Sequence, residues 1–497
     1  MLKPRSLFLI VFLFLSACQP APTGQQVPLT PTGTVTPAPL QVITGRVVDR
    51  EGKPVADAIV HSENFITQSD TNGWFTLVGA DYPMWVTVIR QGFLSRTRAA
   101  APGTPALFRL AADDGKTIVL HFAGDTMFGR RFYDPNDDGY PADGLLPEIP
   151  TADEHSALLK PIQPLLENAD LTVVNFESPL TDAAYGGTLG KQAAEFNQTK
   201  VYSYSSHTSS IQALKDVGVD AIDLGNNHSY DLLEEGLAYS MQAINQADLG
   251  FFGAGKDEAS AWRPYKTTIR GQHLALIGCT TISAPPGLAK SEDIINYVAS
   301  DALGKGGAAK CEENTLREAV TSARADGSIV IVMVHGGYEY DRRMSPNVTK
   351  FSEIARDAGA VLVINHHPHV VGGLQWSGST LLAESMGNFI FDQTLWPTYE
   401  TYLLEVTLQD GKIIQADVEP LVIQDYIPRG LTGKMADYVA RGAAGRTPGQ
   451  FILENGAAVS DFSGKAIIRT YLTALDGGKG LGLLLSVPTG QWISAFN

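Results

Sequence analysis

Basic side chains are in short supply: 37 Lys and Arg stand against 53 Asp and Glu, a formal net charge of −16. A surface that negative repels phosphate backbones, which argues against nucleic-acid binding as a main task. Handling a polyanion would require a local reversal of sign, of the kind bound metal ions supply. Cysteine is scarcer still, three in 497 residues, which excludes a small disulfide-stapled scaffold. Cys18 stands apart, and Cys279 and Cys311 are left to pair or not, because sequence does not reveal the separation of their Cα atoms. The N-terminal apolar run, LFLIVFLFL, is about 9 residues, against the roughly 20 that a membrane-spanning helix needs. With 44% hydrophobic and 18% charged residues, the rest has an ordinary globular composition. Its length allows two to four domains.

The short apolar run follows Lys3 and Arg5 and ends in Leu15-Ser16-Ala17-Cys18, the grammar of a signal peptide. Small residues before that cysteine resemble the bacterial lipobox. The resemblance implies a lipoprotein signal over 1–18, lipidation at Cys18, a membrane-lipid partner and an extracytoplasmic, membrane-anchored location. Residues 19–41 carry no charge and are crowded with Pro, Thr, Gly and Gln, so they read as an extended tether.

Residues 42–112 read as short alternating strands punctuated by turn signals at Glu51-Gly52-Lys53-Pro54 and Thr71-Asn72-Gly73. The order GRVVD, GKPVADAIV, TNGWFTLVG resembles the carboxypeptidase regulatory-like β-sandwich. From Thr117 the pattern changes. Apolar β-runs (TIVLHFAG, LTVVNFES, AIDLGNNH, IVIVMVHGG, AVLVINHH) alternate with amphipathic stretches, among them His155–Asn168, Ser209–Asp216, Leu232–Ala247, Glu312–Ala325 and Thr349–Ala358. This is the signature of an α/β domain whose sheet is buried on both faces. Strand-rich sequence follows Glu400, and a Gly-rich extension spans 426–497.

In such sheets ligands gather at the carboxyl ends of strands, and there the polar residues cluster. FAGDTMFGR offers Asp125 and Arg130, and VVNFES offers Asn175 and Glu177. DLGNNHSYD offers Asn226, Asn227, His228 and Asp231; VHGGYEY offers His335 and Glu339. INHHPHV offers His366, His367 and His369, and ESMGNFIFD offers Glu384 and Asn388. Singly, each has an ordinary reading: an Asp after a strand caps a turn, a His bonds within the core, and an HxH on a strand merely puts two rings on one face. Together they suit one or two divalent metals, which take imidazole, carboxylate and amide ligands from converging segments.

In the order GDxMxxR, NFE, NNHSYD, HxxxE, HPH and GNF, these motifs resemble the bacterial capsule (poly-γ-glutamate) synthesis CapA family over residues 117–425. That family is itself similar to calcineurin-like metallophosphoesterases. The resemblance implies a metallophosphoesterase-like α/β sandwich preceded by the small all-β sandwich. It puts Asp125 and His369 on one metal, Asn227, His335 and His367 on the other, and Glu177 between them. It makes His228 the proton donor, oriented by Asp231, and Arg130 the phosphate-facing cation, with Mn, Zn or Fe as the metal. Two departures stand out: Met127 replaces the histidine of the usual DxH, and Glu177 replaces an aspartate. The implied partners are polymer-synthesis or export proteins and an anionic polymer or phosphoester. The other readings are a secreted metal-dependent phosphoesterase or nucleotidase, and a non-catalytic polymer-binding protein.

Overall fold

The computed structural model describes residues 42–444 except 81, 142, 188–192 and 285–295, together with the backbone of strands Ile452–Glu454 and Ala457–Asp461. Cys18, the signal and tether segments and the chain beyond 461 lie outside the described residues. Among the described residues no helix is long and apolar enough to cross a membrane.

The first module is all β. Strand Val42–Asp49 pairs antiparallel with Trp74–Val78 and parallel with Ala106–Leu110. Opposite lies a four-stranded sheet ordered Phe65–Gln68, Ile59–Ser62, Met84–Ile89, Arg96–Ala100. Alternation puts Ile43, Val47, Val60, Phe75, Val86, Val88 and Phe108 between the two layers, where each is almost fully buried.

The larger module contains two sheets rather than the single one that its βα alternation suggests. One runs in the order Gly250–Phe252, Ala221–Asp223, Leu171–Phe176, Ile118–Thr126, Glu400–Gln409, Lys412–Gln424, and continues to Ala457–Asp461 and Ile452–Glu454. The other runs Tyr265–Ile269, Gln272–Thr280, Ile329–His335, Leu362–His366, Thr380–Ala383, Leu374–Ser377. They face one another across a shared apolar layer that includes Leu120, Phe122 and Val173 from one and Leu276, Ile331 and Ile364 from the other. Each inner strand is also covered from outside by helices, so its sequence is apolar throughout and hides which face meets a helix. Ser209–Asp216 and Leu233–Gln246 pack on the first sheet, and Glu313–Ala325 and Pro346–Ala358 on the second.

Local chemistry sets the helix ends. Thr151 and Glu154 form a reciprocal capping box before Ala152–Leu159. The helical stretch expected over His155–Asn168 is split there, because Pro161 has no N–H to continue the ladder and a second short helix begins at Gln163. The 426–444 stretch, opaque in sequence, contributes helix Gly433–Ala444, whose Val439, Ala440 and Ala443 join the inter-sheet core.

The two modules meet through buried charge. Arg98 Nε lies 3.0 Å from Glu419 Oε2, and Arg96 Nη2 lies 2.9 Å from Asp417 and 3.6 Å from Glu405. Glu405 also reaches His121 Nε2 at 3.2 Å, and Glu419 accepts the Ala99 backbone N–H at 2.9 Å.

Cys279 and Cys311 are paired, closing a loop 32 residues long. Opening it with Cys279→Ala/Cys311→Ala is expected to cost about 3–4 kcal/mol through the added freedom of the unfolded chain, read as a lower denaturation midpoint with an unchanged metal content.

Candidate metal centre

Both sheets deliver residues to one edge. Asp125 ends strand Ile118–Thr126, and Asn175 pairs in register with it on Leu171–Phe176. His335 ends Ile329–His335, directly beside His366 at the end of Leu362–His366. Gly124 is needed here: a Cβ would sit 2.0 Å from the Gly387 carbonyl oxygen, the group that accepts the Asp125 N–H. That close approach brings the Gly387-Asn388-Phe389 segment onto the Asp125 strand.

Two groups of donor atoms result, each within 4.8 Å and each fully buried: Asp125, Glu177 and His369, and Glu177, His335 and His367. Glu177 is common to both. Its carboxylate is wholly buried, and neither oxygen has a hydrogen-bond partner. His335 Nε2 approaches Oε1 to 3.3 Å and His228 Nε2 to 3.8 Å, both short of hydrogen-bond geometry. A buried, unpartnered carboxylate is costly in any fold unless a cation offsets it. His367 Nδ1 is likewise unpartnered, so the donor set fits a divalent cation. Asn227 Oδ1, at 2.6 Å from His335 Nε2, adds an amide oxygen to the second group. His369 Nδ1 lies 2.8 Å from Asn388 Oδ1 and 3.1 Å from Asp125 Oδ2, which ties the ring both to the Gly387-Asn388 segment and to the first group.

The electrostatics mark the same place. Burial, and next the charge of Asp125, push Glu177 up to about 8. Burial works against a charged His369, yet Glu177 and Asp125 raise it to about 9. Burial would also raise Asp125, but the imidazoles of His366 and His369 hold it well below the usual carboxylate range. The protein thus keeps protons where a cation would displace them.

Other residues fall around this centre in distinct ways. His228 has Nδ1 2.6 Å from Asp231 Oδ2 and stacks on Tyr204 with ring centroids 3.7 Å apart. Burial, then the positive charge of Lys200, hold it well below an ordinary histidine. Arg130 pairs with Asp392 and lies 4.4 Å over the Tyr204 ring. Glu339 stands exposed, close enough for its charge to act on Glu177 and His369. Asn226 is scaffold, receiving the His228 and Ser229 N–H groups and bonding Asn175 and Phe176. Glu384 accepts the Gly373 backbone N–H. Met127, in the place of the usual histidine, packs with Tyr204 and Phe391, while His366 Nδ1 comes within 3.2 Å of Asp125 Oδ1.

Strand alternation does not explain the HxH pair. His367 and His369 lie past the strand, each in a left-handed backbone conformation (φ 95° and 59°), and the turn around Pro368 aims them inward. Strained backbone of this kind persists where surrounding structure enforces it, commonly at functional sites. Sequence reasoning missed Lys200 and Asp392. Lys200 Nζ, nearly buried, reaches Asp231 Oδ1 at 2.6 Å, the Asn227 carbonyl at 2.6 Å and His228 Nδ1 at 2.9 Å. A lone lysine in the loop sequence NQTKVYSY carries no signal of that role. Asp392 closes the ESMGNFIFD run and was legible only as its last residue.

The family described as bacterial capsule synthesis protein PGA_cap matches residues 119–393, more than half of the chain. Capsule biosynthesis protein CapA of Bacillus anthracis is 25% identical over 354 residues, covering 70% of this chain and 76% of that protein. PGA biosynthesis protein CapA of Bacillus subtilis (strain 168) is 24% identical over 312 residues, covering 63% and 73%. A hypothetical protein from Thermus thermophilus aligns structurally over 60% of this chain and 97% of its own, at 12% identity and a TM-score of 0.36. The extent of the family match settles one point: this chain belongs to the bacterial capsule synthesis protein family.

Proposed function

We propose that this protein serves the synthesis or export of an extracellular capsule-type polymer, of the poly-γ-glutamate kind, through a divalent-metal centre that acts on a phosphoester-type bond. One observation carries the metal-centre reading: the buried Glu177 carboxylate, without a hydrogen-bond partner, is shared by two donor groups. The curated relatives named for capsule and PGA biosynthesis support the polymer role. The lipobox-like Leu15–Cys18 supports attachment to the outer face of a membrane.

Asp125 and His369 would hold one ion, Asn227, His335 and His367 the other, and Glu177 would bridge them. Such ions polarise a phosphoryl oxygen and lower the pKa of a bound water. The chain's own residues supply the proton. His228 Nδ1–H donates to Asp231 Oδ2 at 2.6 Å, so Nε2, which faces Glu177, is the nitrogen that would take up a proton and pass it to the leaving oxygen. Lys200 Nζ, donating to Asp231 Oδ1 at 2.6 Å, holds that carboxylate in place, and Asp231 in turn fixes the plane of the ring. Met127, Tyr204 and Phe391 form an apolar layer beside it, which excludes water from that side.

With Mn²⁺ or Zn²⁺ and a chromogenic phosphodiester, His228→Ala is expected to lower turnover about 10²–10⁴-fold, the usual worth of a positioned acid, at an unchanged metal content. Equal turnover by the variant removes His228 from this role. A wild-type protein inert with every metal favours the non-catalytic polymer-binding reading.

A further inference from the structure

Arg130 and Arg131 are neighbours in sequence, yet both reach the same carboxylate. Arg130 binds Asp392 through Nε at 3.0 Å and through Nη2. Arg131 reaches it with its backbone N–H at 3.0 Å and its guanidinium at 3.7 Å. Adjacent side chains ordinarily diverge; here the chain turns through a left-handed conformation at Arg130 (φ 48°) to bring them together. Gly129 makes the turn possible, since a Cβ there would lie 2.4 Å from the Ser205 carbonyl oxygen. Asp392 is fully buried, whereas the two guanidinium side chains remain 25% and 35% exposed. One carboxylate cannot occupy every N–H of two guanidiniums, so donors remain to be offered outward.

Those donors line a cleft of about 70 Å³, walled by Tyr185, Phe196 and Tyr202 as well as by the two arginines, well below the roughly 300–1,000 Å³ of a whole-ligand site and so suited to a single small group. Asp134 and Asp137 line it as well. Asp134 is already engaged by the Asp138 and Gly139 N–H groups and by the Tyr185 hydroxyl. Tyr204 links the cleft to the reacting centre, holding Arg130 at 4.4 Å and His228 at 3.7 Å from its ring.

We propose that this cleft is a subsite for an anionic group, carboxylate or phosphate, on the chain being processed one unit away from the metal-held group, with Arg131 as its specificity-determining residue. The proposal rests on the metal cluster being the reacting centre. Arg131 retains donors beyond those spent on Asp392, and a guanidinium fork takes either anion in a bidentate manner.

Calorimetric titration of the full protein as purified tests this without needing turnover. Tri-γ-glutamate serves in one arm and glycerol phosphate in the other. The wild type is expected to bind at least one of them. Arg131→Gln should weaken that binding at least tenfold and Arg131→Lys less, with melting temperatures unchanged and with Lys215→Gln, remote from the cleft, behaving as wild type. The arm that responds names the anion. No binding of either probe, or equal binding by Arg131→Gln and wild type, overturns the subsite. Arg131-dependent binding without phosphodiester turnover would remove the hydrolytic reading and leave the subsite standing.

Discussion

Glu177→Gln is expected to stabilise the metal-free protein and to abolish the stabilisation that Mn²⁺ or Zn²⁺ gives the wild type. The first half follows from linkage. In the fold Glu177 titrates at about 8, against 4.5 for an ordinary glutamate. Its folded pKa is raised, so the protonated form favours folding below pH 4.5, and that contribution is lost as pH rises towards 8. At ~1.4 kcal/mol per unit, the deficit above pH 8 is on the order of 5 kcal/mol. A glutamine cannot ionise and escapes it. The second half follows from mass action: a cation at 1,000 times its Kd adds about 4 kcal/mol to the folded state, and the variant lacks the shared ligand. Melting curves at pH 8 should therefore cross, the variant melting higher in chelator and lower with Mn²⁺. A variant less stable than wild type in chelator, at pH 5 and pH 8 alike, would mean that the carboxylate already has a partner in the protein.

Glu419→Ala tests a different part of the molecule, where the two modules join. The side chains of Arg98 and Glu419 are each 6% exposed, and Glu419 also holds the Ala99 N–H. Truncating one member of such a pair strands the other's charge away from water, a loss of about 3–5 kcal/mol, or roughly 10 °C in melting temperature. Replacing both partners, as in Arg98→Met/Glu419→Leu, should recover most of it, because no buried charge is then left unpaired. Thermal unfolding of the single and double variants separates the two effects. If the β-sandwich were only loosely appended, Glu419→Ala would cost less than about 1 kcal/mol, as exposed pairs do.

Much of this was legible in the sequence, for identifiable reasons. The sandwich strands of residues 42–110 bury one face, so their alternation is visible, as in the alternately buried and exposed Trp74–Val78. The strand-end polar clusters showed because a fully buried strand such as Ile118–Thr126 gives any Asp or Asn at its end sharp contrast. That same continuous burial hid the second sheet, since a strand packed on both faces carries no period to say what lies on either side. The inward aim of His367 and His369 depends on backbone angles that no spacing encodes. Lys200 and Asp392 became visible only through the partners the fold gives them, Asp231 and Arg130. Helix Gly433–Ala444 was masked by its small residues, Ala436, Ala440, Ala443 and Ala444, whose contrast with the surrounding glycine-rich sequence is weak.

The central claim is that side chains from two sheets converge to hold divalent cations. Elemental analysis of the purified, folded protein after equilibration with Mn²⁺ or Zn²⁺ and exhaustive dialysis addresses it most directly, alongside Asp125→Ala/His335→Ala. One or two tightly held ions per chain in the wild type, lost in the variant, are the expected result. Wild-type protein that retains no more metal than the variant would contradict the account.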